Sequence, residues 1–282
     1  MELSIALIVL IAALFHATWN AMVKSGQDHL LSITGFNVAA GLIALPLLLF
    51  VGLPAVASWP YLFASVALHS MYYVALSAAY KYGDFSHAYP VARGTAPVLV
   101  TLWSVLALNE ALSGIEVASL IGVLSGILIF AAKGFRRVMQ DRQALVSALI
   151  TSMFIGSYTI VDGIGGRLSG NVPAYMVWLA LQCGIPILIY AIFKRGLAEV
   201  ISIRHQWKIF LLGASLALTS YSLVVWSMTQ APLPLVSALR ETSIIIAALI
   251  GAYYFKEPSG KRRIIASIVI VCSIALLAVD GF

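Results

Sequence analysis

Charge is what this chain has least of. Asp, Glu, Lys and Arg make up 10% of its 282 residues, against about 25% in a soluble domain. So few charges cannot cover a water-exposed surface, which excludes an ordinary soluble globule. Cysteine is scarce too: Cys183 and Cys272 both lie inside apolar runs, where they read as small packing residues rather than a disulfide or metal pair. The sequence carries no Cys/His cluster, no Gly-rich phosphate loop and no G-x-S-x-G elbow. No metal, no cofactor and no enzyme activity are therefore expected. A membrane-embedded enzyme, the competing class, has only His16, His69 and Asp162 to offer as an acid-base set. A channel is disfavoured because the charges are single or paired and form no rings.

What the chain has in abundance is apolar length. It is 61% hydrophobic with a mean hydropathy of +0.99. Spanning the hydrocarbon takes about 20 mostly apolar residues, and ten such segments can be drawn: 3–23, 31–52, 60–80, 85–107, 113–132, 143–163, 172–193, 207–228, 233–255 and 261–280. The first lacks a basic leader and a small-x-small cleavage site, so it reads as a membrane helix rather than a signal peptide. The fold class expected is an all-α polytopic membrane protein of ten transmembrane helices. With almost nothing outside the spans, this is the economy of a transporter core.

The net charge of +6 does not point to nucleic acid, because the basic residues sit in short loops. Loops after odd-numbered segments hold Lys24, Lys81, Lys133, Arg136, Arg137, Arg142, Lys194, Arg195, Arg204, Lys208, Lys256, Lys261, Arg262 and Arg263. Loops after even-numbered segments hold only Arg167. Positive charge favours the cytoplasmic side. The expectation is a multi-pass protein of the cell (inner) membrane with both termini non-cytoplasmic and anionic lipid at the basic loops.

The chain also repeats itself. "YPVARGTAPVLVTLWSVLALNEALSG" in the fourth segment aligns with "LVSALRETSIIIAALIGAYYFKEPSG" in the ninth. Arg93 precedes Glu110 by 17 residues, and Arg240 precedes Glu257 by the same 17. "FHATWN" in the first segment matches "FIGSYT" in the sixth more weakly. Two units follow, 1–137 and 138–282. Since five helices is an odd number, the two lie in opposite orientations. Inverted repeats of this kind place a substrate site near the midplane between the halves. Whether the protein is a monomer or a homodimer stays open.

The stretch from Ala96 to Phe130, with Pro97, Glu110 and the Gly122/Gly126 pair, resembles the EamA-type repeat of the drug/metabolite transporter superfamily. The second half departs from the pattern, with Ile244 in place of Pro97 and Cys272 in place of a glycine. The resemblance implies a basket in which helices one to four and six to nine surround a central cavity, with five and ten outside. It also implies carriage of small polar metabolites, often as export.

Arg93, Arg240 and Glu241 lie deep in apolar segments, where a charge costs at least about 2.5 kcal/mol and usually faces a cavity or a partner. Two readings stand. Arg93 and Glu241 form a structural ion pair, or the arginines hold an anion with the fork that suits a carboxylate. Neighbouring helical side chains diverge by about 100°, so Arg240 and Glu241 are not expected to satisfy each other. His16, Trp19 and Asn20 share one face of the first segment. The third offers His69, Tyr72, Tyr73 and Tyr80, and the sixth Ser157, Tyr158 and Asp162. The candidate binding set is Arg93, Arg240, Glu241, His16, Trp19, Asn20, His69, Tyr73 and Tyr158, with Glu241 and Asp162 as candidate coupling carboxylates. The function expected is a secondary carrier of a small, amino-acid-like or carboxylate-bearing metabolite. The alternative is an exporter of cationic amines that uses Glu241.

Overall fold

The computed structural model describes residues 1–25, 28–82, 85–140, 142–246, 265–266, 268–273 and 276. The expected ninth segment beyond residue 246, much of the tenth, Glu257 and the loop at 256–263 lie outside the described residues. So do the side chains of Lys24, Tyr80, Lys81 and the basic cluster Lys133 to Arg142.

Secondary structure among the described residues is helical throughout. The helices are α1 (Leu3–Ser25), α2 (His29–Val51), α3 (Trp59–Tyr82), α4 (Phe85–Ala107), α5 (Gly114–Gln140), α6 (Arg142–Leu168), α7 (Val172–Arg195), a short α8 (Leu197–Ser202), α9 (Trp207–Gln230) and α10 (Leu233–Arg240). At 1.5 Å per residue, the long ones run to about 35–40 Å, more than the hydrocarbon thickness. Among the described residues, five stretches are both long and apolar enough to cross a membrane: Leu3–Met22, His29–Val51, Val146–Leu168, Val172–Arg195 and Leu197–Gln230. Large apolar side chains such as Leu49, Phe50, Leu106 and Phe193 stand exposed on the outside of the bundle. Water would penalise that surface, whereas lipid solvates it. The chain is an all-α membrane protein.

Local chemistry sets the helix ends. Asp28 caps α2 by accepting from the Leu31 amide (3.1 Å), and Asn171 caps α7 by accepting from the Ala174 amide (3.1 Å). Ser113 and Glu116 form a reciprocal capping box at the start of α5. The Ser113 amide donates to the Glu116 carboxylate (3.0 Å), and the Glu116 amide donates to the Ser113 hydroxyl (3.1 Å). Gly196, at φ +88°, ends α7 in a conformation that L side chains rarely adopt.

The packing partners come in matched couples. α2 lies on α7. α3 lies on α6 as α1 lies on α9, and α4 lies on α6 as α10 lies on α1. α5 is held close by Gly122 and Gly126. A methyl group on Gly122 would collide with Ser273, and one on Gly126 with Ile270. The neighbour of the fifth helix is therefore the tenth segment, approached through a small-x-x-x-small face.

α10 departs from the expected continuous helix. It stops at Arg240, Glu241 and Thr242 form a turn, and helix resumes over 243–246. The break falls among fully buried residues, so its polar groups meet protein rather than lipid.

Candidate functional site

Three buried charged groups meet at the break in α10. Glu241 is 0% exposed, Arg93 0% and Arg240 2%. One carboxylate oxygen of Glu241 lies 2.8 Å from Arg93 Nε, and the other lies 3.5 Å from Arg240 Nε. Adjacent residues thus meet the same carboxylate. The expected 100° divergence leaves this second contact long, at 3.5 Å, and the shorter one goes to Arg93 of α4. Glu241 bridges two guanidinium groups, one from α4 and one from α10.

Beside this cluster lies a cavity of about 120 Å³, room for several water molecules or a small solute. Among the residues singled out from sequence, His16, Trp19, His69, Tyr73, Tyr158 and Arg240 line it. Asn20, Arg93 and Glu241 are not among its lining. The Asn20 amide donates back to the His16 carbonyl one turn earlier (2.8 Å), a local bond that turns it along its own helix. Arg93 and Glu241 stand behind Arg240, engaged with each other. Of the three buried charges in this cluster, Arg240 is the one on the cavity wall.

The walls are mostly aromatic. His69 stacks on Tyr158 with ring centres 4.1 Å apart, and Tyr72 and Tyr221 meet Tyr158 edge-on. His16 Nδ1 accepts from the Trp19 indole (3.3 Å). That assigns the hydrogen to Nε2, and Nε2 is buried without a hydrogen-bond partner among the described residues. A donor is left at the cavity wall with nothing from the described residues to receive it.

Asp162 forms a second polar centre and is 0% exposed. Oδ1 accepts from the Tyr175 hydroxyl (2.8 Å) and Oδ2 from the Tyr221 hydroxyl (2.5 Å). His69 Nδ1 lies 4.0 Å from Oδ2. It is also 3.0 Å from the Ser65 carbonyl oxygen and 3.1 Å from the Ser65 hydroxyl. Tyr221 joins the two centres: its hydroxyl serves Asp162, while the Arg240 guanidinium stands 5.9 Å from its ring centre. Of the suggested enzyme set, His69 and Asp162 adjoin, whereas His16 belongs to the Trp19 pair on α1.

Sequence reasoning missed Phe36, Asn37, Cys183 and Tyr221 as cavity wall, and named Tyr72 only as part of the His69 face. A single aromatic or small polar residue in an apolar helix carries no signal of its own.

At the end of the bundle that holds the α4–α5, α6–α7 and α9–α10 connections, Glu110 and Arg167 pair at 2.6 Å. Glu110 also accepts from the Leu233 amide at the start of α10 (2.9 Å). Arg167 donates to the Met228 carbonyl (2.8 Å) and the Ala231 carbonyl (3.3 Å) at the end of α9. Two side chains thereby fasten four helix ends.

The arrangement has solved relatives in shape. A crystal structure of another protein matches with a TM-score of 0.76 at 17% identity, covering 100% of this chain and 99% of that one; this likeness speaks to the fold alone. The model of the EamA-like transporter family matches residues 3–132 and again residues 142–279. The chain belongs to the EamA-like transporter family.

Proposed function

We propose that this transporter is a secondary carrier of a small metabolite bearing a carboxylate, with an amino-acid-like solute the best fit. The observation that carries the reading is the position of Arg240: on the cavity wall, backed by Glu241 and Arg93, and facing aromatic walls. Glu241 and Arg93 fix the Arg240 guanidinium from behind, which preorganises its fork for an incoming carboxylate. The open Nε2–H of His16 adds a second donor. The aromatic faces accept the apolar body of the solute. The alternative of a cationic amine on Glu241 has less support, since that carboxylate is already shared by two guanidinium groups.

Alternating access is the mechanism that suits such a site. Its support is the double family match and the matched couples of helix contacts, both expected of two five-helix units, 1–137 and 138–282, in inverted orientation across ten spans. The reading places the protein in the inner membrane with both termini away from the cytoplasm, on the strength of the basic loops.

A thermal-shift screen of purified protein against carboxylates, amino acids and amines tests the reading. A ligand at one hundred times its dissociation constant stabilises by about 2.7 kcal/mol. Stabilisation by carboxylates that Arg240→Gln abolishes is the expected outcome. Stabilisation by cationic amines alone overturns it.

A further inference from the structure

Two arginines and one glutamate suggest an excess of positive charge, but Asp162 changes that balance. With both carboxylates ionised, Arg93 and Arg240 are matched by Glu241 and Asp162, all four buried. An anion arriving on Arg240 therefore adds an uncompensated negative charge to a buried site, which is costly. The groups facing Asp162 are His69 and Tyr73 from α3, Tyr175 and Cys183 from α7, Tyr221 from α9 and Tyr158 from its own helix. Arg240 of α10 lies beyond Tyr221, and Arg93 of α4 is turned to Glu241. Of the two carboxylates, Glu241 is held by two guanidinium groups and Asp162 by two tyrosine hydroxyls. A proton added to Asp162 therefore removes a negative charge without breaking an ion pair to an arginine.

We infer that Asp162 takes up one proton for each anion bound at Arg240, with Tyr221 as the link between the two sites. The inference rests on the proposed carboxylate site. The balance is simple: one proton from the bulk solution, relayed through the cavity, joins Oδ2 of Asp162 as one carboxylate joins the guanidinium, and the site begins and ends neutral.

Hydrogen-bond polarity gives the coupling its route. Ionised Asp162 can only accept, so Tyr221 spends its single hydrogen on it. Protonated Asp162 donates to the Tyr221 oxygen instead. The tyrosine hydrogen is then released from Asp162, and the guanidinium proposed to hold the anion stands 5.9 Å from the centre of the same ring. Anion binding and proton binding thus favour each other, as reciprocal linkage requires.

Phenylacetate is a suitable probe because it carries a carboxylate and an apolar ring but no ammonium group to supply the charge itself. Binding to the full-length protein in detergent is measured by calorimetry over a pH series, with proton uptake followed in weak buffer. The expected result is one proton taken up per phenylacetate and an affinity that weakens about tenfold per pH unit over the range where the empty site is ionised. Asp162→Asn, which mimics the protonated carboxyl, binds at every pH as tightly as the wild type does at low pH, with no proton uptake. Tyr221→Phe flattens the pH dependence while Asp162 remains, so the test survives if one variant does not fold. Binding without proton uptake in the wild type overturns the inference and leaves the carboxylate site standing. So does a pH dependence that persists in Asp162→Asn, because the acid itself then brings the proton. Absence of phenylacetate binding in the wild type overturns the carboxylate site, and the inference falls with it.

Discussion

Glu241 holds Arg93 at 2.8 Å with neither side chain meaningfully exposed, and this pair ties α4 to the break in α10. Removing one partner of such a pair leaves a buried charge unmatched, which costs about 3–5 kcal/mol. Glu241→Gln, which leaves two guanidinium groups facing each other, is expected to lose that much stability. The double variant Arg93→Met/Glu241→Gln should lose less than the two single losses combined, with a coupling of about 0.5–3 kcal/mol. Denaturant unfolding in detergent measures the cycle. Simple additivity would show that the contact does not tie the two helices.

Arg240 and Arg93 are expected to differ in what a conservative change does. Arg240→Lys keeps the charge but loses the fork, and a hydrogen bond to a charged group contributes about 1.5–3 kcal/mol. Carboxylate affinity should fall at least about tenfold. Arg93→Lys, acting through Glu241, should leave affinity within roughly threefold while lowering the unfolding temperature. Equal losses of affinity in the two variants would place Arg93 against the solute.

The approach of α5 to the tenth segment leaves no room at Gly122. Gly122→Leu must displace Ser273, and overpacking of this kind typically costs about 1–3 kcal/mol. Gly114, with open space around its position, is the control: Gly114→Ala should be near neutral. Thermal denaturation of both variants decides it, and an unperturbed Gly122→Leu counts against the close contact.

Orientation can be read with single cysteines at opposite ends of α9. Gln230 and His205 are both exposed. In a background lacking Cys183 and Cys272, Gln230→Cys should react with a membrane-impermeant maleimide in intact cells. His205→Cys should react only after permeabilisation. The reverse pattern would invert the topology argued from the basic loops.

The long helices were legible because an unbroken apolar run of about 20 residues suits little besides a membrane span. Their partners were less so. Arg93, Arg240 and Glu241 stood out as charges in oily segments, yet the turn at Glu241 is marked by no proline or glycine at that position. The Arg93–Glu241 pairing depends on how α4 packs against α10. Pro232 and Pro234 sit at the start of α10 rather than at its break. Asp162 could be named, but Tyr175 and Tyr221, which hold it, lie on other helices 13 and 59 residues away. Only packing brings them together, and periodicity within one helix says nothing about that. The glutamate at the end of α4 was visible, whereas its partner Arg167 looked like an orientation anomaly: the one basic residue in the even-numbered loops, here spent on helix ends rather than on lipid.

The four buried charges have a consequence for energetics across the membrane. Moving one elementary charge through about 100 mV involves about 2.3 kcal/mol. With both carboxylates ionised, a centre that holds Arg93 and Arg240 against Glu241 and Asp162, all buried, presents no net charge to that field, and on the proposed proton uptake the same holds when an anion is bound. Voltage then does no work on either passage through the bilayer. For the proposed carboxylate carrier with its coupled proton, the pH difference and the solute gradient alone set the direction of flow, and collapsing the electrical potential while keeping the proton gradient is expected to leave transport running.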